Sequence, residues 1–282
     1  MYRLGVHLSI ARGIEKIFDT AFQMGCNCTQ IFSHSPRSWH FRFPSDEQIE
    51  KFRYNYRRYD IKPVFVHQSY LVNLASPNRT VYMRSIDSIK REAQLVGLLG
   101  IRYIVIHPGS HLGKGEKVGL ENIVNALNSL SNYLEDVEIL VEMTAGSKNT
   151  IGSKFEHIEY ILDNTVVESG VVLDTCHLFA AGYDIKSEEG LDRTVEEFEA
   201  RIGMNKLKLI HLNDSKYPFG SNRDRHEHIG LGEIGVDGFR RIVNHRKLRN
   251  KPMILETPMD GVRSDEENLN VIKSLIDFRS FP

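Results

Sequence analysis

Two rhythms divide the chain. Short, strand-like and largely apolar runs fall at 4–7, 28–32, 64–66, 103–106, 139–141, 171–173, 207–212 and 253–255. Runs this short and this apolar are the pattern of strands covered on both faces, as in a parallel sheet. The segments between them have helical spacing. Residues 81–99 set Ile86, Ile89, Ala93, Val96 and Leu99 near a 3.6-residue period, and Gly100 suits the helix end. Residues 46–59 carry acidic side chains in the first turn and basic ones in the last, as the helix dipole favours. Further helical segments are read at 121–133, 155–162, 188–202, 236–244 and 265–278. Eight strands alternating with about eight helices predict an α/β protein with a parallel sheet, and eight is the number that closes a (β/α)8 TIM barrel. A doubly wound open sheet is the other arrangement this alternation allows.

The chain has 282 residues, 41% of them hydrophobic, enough for one large core. Such barrels often run to about 250 residues as one unit, so 1–282 is read as a single barrel domain. No run reaches the roughly 20 apolar residues of a membrane span. The opening Met1-Tyr2-Arg3-Leu4-Gly5 leads straight into a strand-like pattern without a signal peptide, and a cytoplasmic protein is expected. Three cysteines, Cys26, Cys28 and Cys176, are too few for a disulfide framework and are read as buried thiols. With 36 basic and 37 acidic residues the formal charge is −1, which alone argues weakly against a nucleic-acid partner. Bound divalent ions would reverse that sign, and their charge belongs in any account of the field.

Chemistry is concentrated where the apolar runs end. The third ends at His67, the fourth at His107, the fifth at Glu142 and the sixth at Asp174, with His177 just beyond. The seventh carries His211, the loop after it holds Asp224 and His226, and the eighth ends at Glu256. Any one of these has a plain structural reading: Asp174 could cap the next helix, and a lone histidine could fill a gap in the core. Together, in a barrel, they would all face one mouth. Four carboxylates packed there without cations would raise one another's pKa and lose their water. Five imidazoles, four carboxylates and no clear thiolate suit zinc, or manganese or iron, in open catalytic sites. Nine ligands exceed one ion and are natural for two or three. Clustered divalent ions are what phosphoester hydrolysis uses. His7, His111 and His228 are candidates for orienting the ligands. His34, His40, His157 and His245 are read as loop or helix-surface residues.

The segments 67–75 (HQSYLVNLA), 107–111 (HPGSH), 173–184 (LDTCHLFAAGYD), 211–216 (HLNDSK) and 224–235 (DRHEHIGLGEIG) resemble the motifs of endonuclease IV, the zinc-dependent apurinic/apyrimidinic (AP) endonucleases of base-excision repair. The resemblance runs from Gly5 to about Glu256. It implies a TIM barrel with three zinc ions: one on His67, His107 and Glu142, one on Glu142, Asp174, His211 and Glu256, and one on His177, Asp224 and His226. Manganese could replace zinc at one or more sites. It further implies hydrolysis on the 5′ side of an abasic site by a hydroxide held between two ions, leaving a 3′ hydroxyl and a 5′ deoxyribose phosphate, and removal of blocking groups from 3′ ends. Glu142 would be the catalytic bridge. Arg37, Tyr70 and Leu71 would enter the duplex where the abasic nucleotide is flipped out, offsetting an unstacking cost of about a few kcal/mol. A monomer acting on duplex DNA, with no membrane partner, is expected. Lys148, Lys154, Lys216, Arg223 and Arg225 could meet phosphates. Ser35 and Pro36 before Arg37, Gln68 after His67 and Met143 after Glu142 depart from the family's usual residues. A divalent-metal sugar isomerase or epimerase on the same barrel is the alternative. It would need neither the Arg37, Tyr70 and Leu71 set nor the trio of His177, Asp224 and His226.

Overall fold

A computed structural model describes residues 2–277. Eight parallel strands close into a barrel: β1 (Leu4–Leu8), β2 (Thr29–Phe32), β3 (Val64–His67), β4 (Tyr103–Ile106), β5 (Glu138–Glu142), β6 (Ser169–Asp174), β7 (Leu207–His211) and, last in the chain, β10 (Met253–Leu255), which pairs with β1 and β7. A small antiparallel pair, β8 (Asp214–Ser215) and β9 (His226–Glu227), folds over the rim after β7. Around the barrel run α1 (Ile17–Gln23), α2 (Asp46–Arg58), α3 (Arg79–Leu99), α4 (Glu116–Ser129), α5 (Phe155–Asn164), α6 (Thr175–Ala181), α7 (Glu188–Arg201), α8 (Gly235–Asn244) and α9 (Asp265–Leu275). Among the described residues no helix is long and apolar enough to cross a membrane.

The closed barrel excludes the open-sheet alternative. Two short helices escape the sequence pattern. α1 has no side-chain cap. α6 is capped by Asp174 itself, whose Oδ1 accepts from His177 N at 2.9 Å. The fourth helix starts earlier than its periodicity suggested, after Gly115, and a 3₁₀ turn at Ser131–Tyr133 replaces its expected end. The last helix ends at Leu275, and Phe278, its expected end, lies outside the described residues. Two other helix starts are fixed by local chemistry: Ser45 with Gln48 and Ser264 with Glu267 form reciprocal capping boxes.

Two apolar layers hold the barrel. The larger lies between strands and helices. The smaller fills the interior, where Cys28, Phe65, Val105, Leu140, Val172, Leu209 and Ile254 pack on one another. Because side chains alternate across a strand, the residue two steps further along each strand faces the same interior. Those residues are Gln30, His67, His107, Glu142, Asp174, His211 and Glu256. On β1 the corresponding pair is Gly5 and His7. A side-chain carbon at Gly5 would sit 1.9 Å from the Cys28 carbonyl oxygen, so only glycine fits. Gly5→Ala is expected to cost about 3 kcal/mol, the upper end for overpacking, read as a lower urea midpoint at unchanged slope.

Candidate metal centre

The barrel's carboxyl end thus carries a ring of polar groups one step above the interior plug. Glu142 is at its centre and fully buried. Its Oε2 lies 3.1 Å from His67 Nε2 and 3.3 Å from His107 Nε2; its Oε1 lies 3.1 Å from His211 Nδ1 and 3.4 Å from His177 Nδ1. Three groups of potential ligand atoms come together: His67, His107 and Glu142; Glu142, Asp174, His211 and Glu256; and Asp174, His177 and His226. In each the ligand atoms lie within 4.8 Å of one another. Asp224 adjoins the third group, with Oδ1 3.2 Å from His177 Nε2 and 3.7 Å from His226 Nε2. Asp174 Oδ2 is 3.6 Å from His226 Nε2. The third trio therefore has two carboxylates at hand. Asp174 stands on the rigid end of β6, and Asp224 reaches in from a loop, half exposed. Among the described residues no lysine or arginine pairs with Glu142, Asp174, Asp224 or Glu256.

The histidine tautomers show what this arrangement suits. His67 Nδ1 lies 2.8 Å from the Gln68 carbonyl, His177 Nδ1 2.8 Å from the Met143 carbonyl and His226 Nδ1 3.0 Å from the Glu256 carbonyl. A carbonyl only accepts, so each Nδ1 carries the hydrogen and each Nε2 is left as a lone pair. His211 is the reverse. Its Nε2 donates to Gln30 Oε1 at 2.9 Å and its Nδ1 faces Glu142 and Glu256. The four lone pairs thus point at carboxylates, which have no hydrogen to give. The Nε2 atoms of His177 and His226 are buried without a hydrogen-bond partner. Either protons or cations must occupy the space between. Without ions, burial opposes charge on His211, but Glu256 and Glu142 outweigh it and push the imidazole up to about 9. His177 is raised well above its usual value, where Asp174 and Asp224 overcome burial. Burial would raise Glu142 and Glu256, yet the neighbouring imidazoles hold both well below the usual carboxylate range. The donor set of imidazole and carboxylate fits divalent zinc or manganese.

Gln30 and Asn213 complete the site and are not apparent from strand ends alone. Gln30 Nε2 donates to Glu256 Oε1 at 2.6 Å, and Asn213 Nδ2 donates to Asp174 Oδ2 at 2.6 Å. The signal for Gln30 was its place two residues after an interior cysteine. His7 also touches the ring, with Nδ1 3.3 Å from Glu256 Oε1. His111 and His228 do not orient ligands. His111 accepts from Gly115 N, and His228 joins Asp260 and Asn268, so both fasten loops. His34 and His157, read as loop or helix-surface residues, are buried, His34 with Nδ1 3.8 Å from Glu92 and His157 with Nε2 3.3 Å from Glu116. His245 pairs with Asp192, and His40 is exposed. All three cysteines are free and buried, and Cys176 Sγ contacts the Arg225 carbonyl. The loop bearing Asp224 and His226 is held by Asp214, whose buried carboxylate accepts from the backbone N–H groups of Ser215, Gly230, Gly232, Ile234 and Gly235.

A cavity of about 420 Å³ opens above the ring, lined by His7, His67, His107 and Glu256 together with Tyr70 and Arg225. Tyr70 is 66% exposed, which rules out a core role. Its ring meets Phe32 edge-on at 5.2 Å, and its N–H donates to the Pro36 carbonyl at 3.0 Å. Arg37 is exposed and Leu71 half-buried in the same pair of loops. Of the basic residues considered for phosphates, Lys154 pairs with Glu116 and Arg223 stacks on Tyr217, whereas Lys148 and Lys216 are exposed.

Comparison with known proteins agrees with this geometry. Residues 18–278 match the family described as the xylose isomerase-like TIM barrel. A probable endonuclease 4 of Halothermothrix orenii is 43% identical over 96% of this chain and 99% of its own. The crystal structure of endonuclease IV from Thermus thermophilus superposes with a TM-score of 0.86 at 34% identity, covering 97% of this chain and 98% of that one. A D-tagatose 3-epimerase-like protein, 20% identical with a TM-score of 0.69 over 96% of this chain and 98% of that one, is similar in fold alone. The chain therefore belongs to the endonuclease IV family.

Proposed function

We propose that the protein is a metal-dependent AP endonuclease, hydrolysing the phosphodiester on the 5′ side of abasic sites in duplex DNA and leaving a 3′ hydroxyl and a 5′ deoxyribose phosphate. The reading extends to removal of phosphate and phosphate esters from 3′ ends, to three bound ions, zinc first and manganese as the substitute, and to a monomer. The observation that carries it is the set of imidazole lone pairs aimed at buried carboxylates in the floor of an open cavity. Lewis acidity toward water and toward a phosphate oxygen is what divalent ions bound there would supply. His67, His107 and Glu142 would hold the first, Glu142, Asp174, His211 and Glu256 the second, and His177, His226 and Asp224, with Asp174 beside them, the third. Gln30 fixes the tautomer of His211, and the backbone carbonyls fix those of His67, His177 and His226. Arg225 at the cavity wall offers a charge for a phosphate. Tyr70, exposed beside the mouth, offers a ring to the gap left in a base stack, with Leu71 behind it and Arg37 from the adjoining loop.

The test is a duplex carrying one tetrahydrofuran abasic analogue. Metal-loaded protein should nick it once, 5′ to the analogue, and should leave free ketoses unchanged. Absence of a nick with metal content confirmed, or isomerisation of a ketose, would defeat the reading. Arg37→Ala is expected to lower kcat/KM on the abasic duplex about ten-fold or more, the effect of losing one anchoring contact of about 1–3 kcal/mol. Hydrolysis of an exposed 3′ phosphate should be much less affected, and equal losses on the two substrates would remove Arg37 from its place.

A further inference from the structure

A buried polar cluster lies between α3 and the loop after β2, outside the candidate metal centre. Glu92 on α3 is fully buried. Its Oε1 lies 2.9 Å from Ser33 Oγ, and Ser33 Oγ lies 2.8 Å from His34 Nδ1. Ser33 and His34 open the loop that carries Arg37. The His34 ring packs 4.8 Å from that of Phe41, on the far side of Arg37. The backbone of Ser69 lies against the same Glu92 carboxyl. Tyr70 N then donates to the Pro36 carbonyl. One helix side chain thus meets both loops that present Arg37 and Tyr70.

The Ser33 hydroxyl is shared between the helix and the loop. It donates to Glu92 Oε1, which leaves its lone pairs to accept from His34 Nδ1. Burial raises the Glu92 carboxyl to about 8 and lowers His34.

We infer that Glu92 is a positioning residue: it accepts a hydrogen bond that, through Ser33 and His34, pins the loop bearing Arg37 and the adjoining Tyr70 loop in place before a duplex arrives. This rests on the DNA-directed reading above, and pre-placed contacts are where such ordering gains affinity. The experiment compares Glu92→Leu, Glu92→Gln and Ser33→Ala in the metal-loaded protein. Three readouts are taken: hydrogen exchange over 33–41 without DNA, kcat and KM on the tetrahydrofuran duplex, and bound metal. Glu92→Leu and Ser33→Ala should speed exchange in 33–41 and raise KM about ten-fold, with kcat and metal content little changed. Glu92→Gln, whose amide oxygen can still accept from Ser33 Oγ, should keep wild-type exchange and KM. Wild-type exchange and KM in the leucine variant would overturn the inference, as would a glutamine variant that fails like leucine. A joint fall of kcat and metal content would do the same, because it would place the effect at the metal centre. If the leucine variant does not fold, Ser33→Ala carries the same expectation. A wild-type protein that ignores the duplex defeats the DNA reading, and the exchange data still decide whether the loop is pinned.

Discussion

Replacing Glu142 by glutamine should abolish nicking of an abasic duplex, with a fall in kcat of about a thousand-fold or more, equivalent to about 4 kcal/mol of transition-state stabilisation. Both oxygens of this carboxylate are in use, one facing His67 and His107 and the other facing His211 and His177. An amide keeps the shape but turns one side into a donor, so it can no longer offer negative charge to cations on both sides. The fold should survive, because Glu142 stands above Leu140 in the interior plug and not within it. The measurement is single-turnover nicking alongside bound metal and the thermal midpoint. A variant that nicks within ten-fold of wild type would show that Glu142 is not shared between ions.

Stripping the metal should cost both activity and stability, and the loss of stability should depend on pH. At free metal about a hundred-fold above its dissociation constant, each site adds about 2.7 kcal/mol to the folded state. In the stripped protein the raised imidazoles of His211 and His177 stabilise the fold fully below their ordinary pKa of about 6.5, and this contribution is lost as pH rises, for His211 through about 9. The depressed carboxylates of Glu142 and Glu256 act in the opposite direction. Their contribution is present above their ordinary value of about 4.3 and is lost as pH falls. The stripped protein should therefore be most stable between these limits and weaken on the alkaline side, and loading with zinc should remove that alkaline decline. Zinc uptake at pH 7 should release protons, since ions replace the hydrogens on these imidazoles. Calorimetric titration in two buffers of different ionisation enthalpy measures that release. Uptake with no proton release would mean that the rings were already neutral.

Much of the architecture could be read from the chain because a parallel barrel writes each strand as a short apolar run. The positions of His67, His107, Glu142, Asp174 and Glu256 were visible for the same reason, each being the polar residue that closes its run, while His211 stood out as an imidazole between Ile210 and Leu212. Gln30 was hidden because an amide has no charge to stand out, and Asn213 because it lies beyond its strand's end. Asp174 has both readings at once, capping α6 with one oxygen and turning the other toward His226. The burial of His34 and His157 could not be read locally, since their carboxylate partners, Glu92 and Glu116, come from helices far along the chain. The approach of Asp224 to His177 and His226 follows the course of the loop after β7, whose far end returns to Asp214 through the N–H groups of Gly230, Gly232, Ile234 and Gly235, a contact no sequence periodicity records.

The apolar plug beneath the polar ring has a consequence for the protein between turnovers. Each ring residue on a strand stands two positions above a side chain locked among its neighbours in the barrel, so it cannot drift sideways without disturbing them. An emptied centre should therefore keep its spacing, ready to take up ions again without refolding. Metal exchange would then be governed by how readily the loop carrying Asp224 and His226 opens, and not by collapse and rebuilding of the pocket itself.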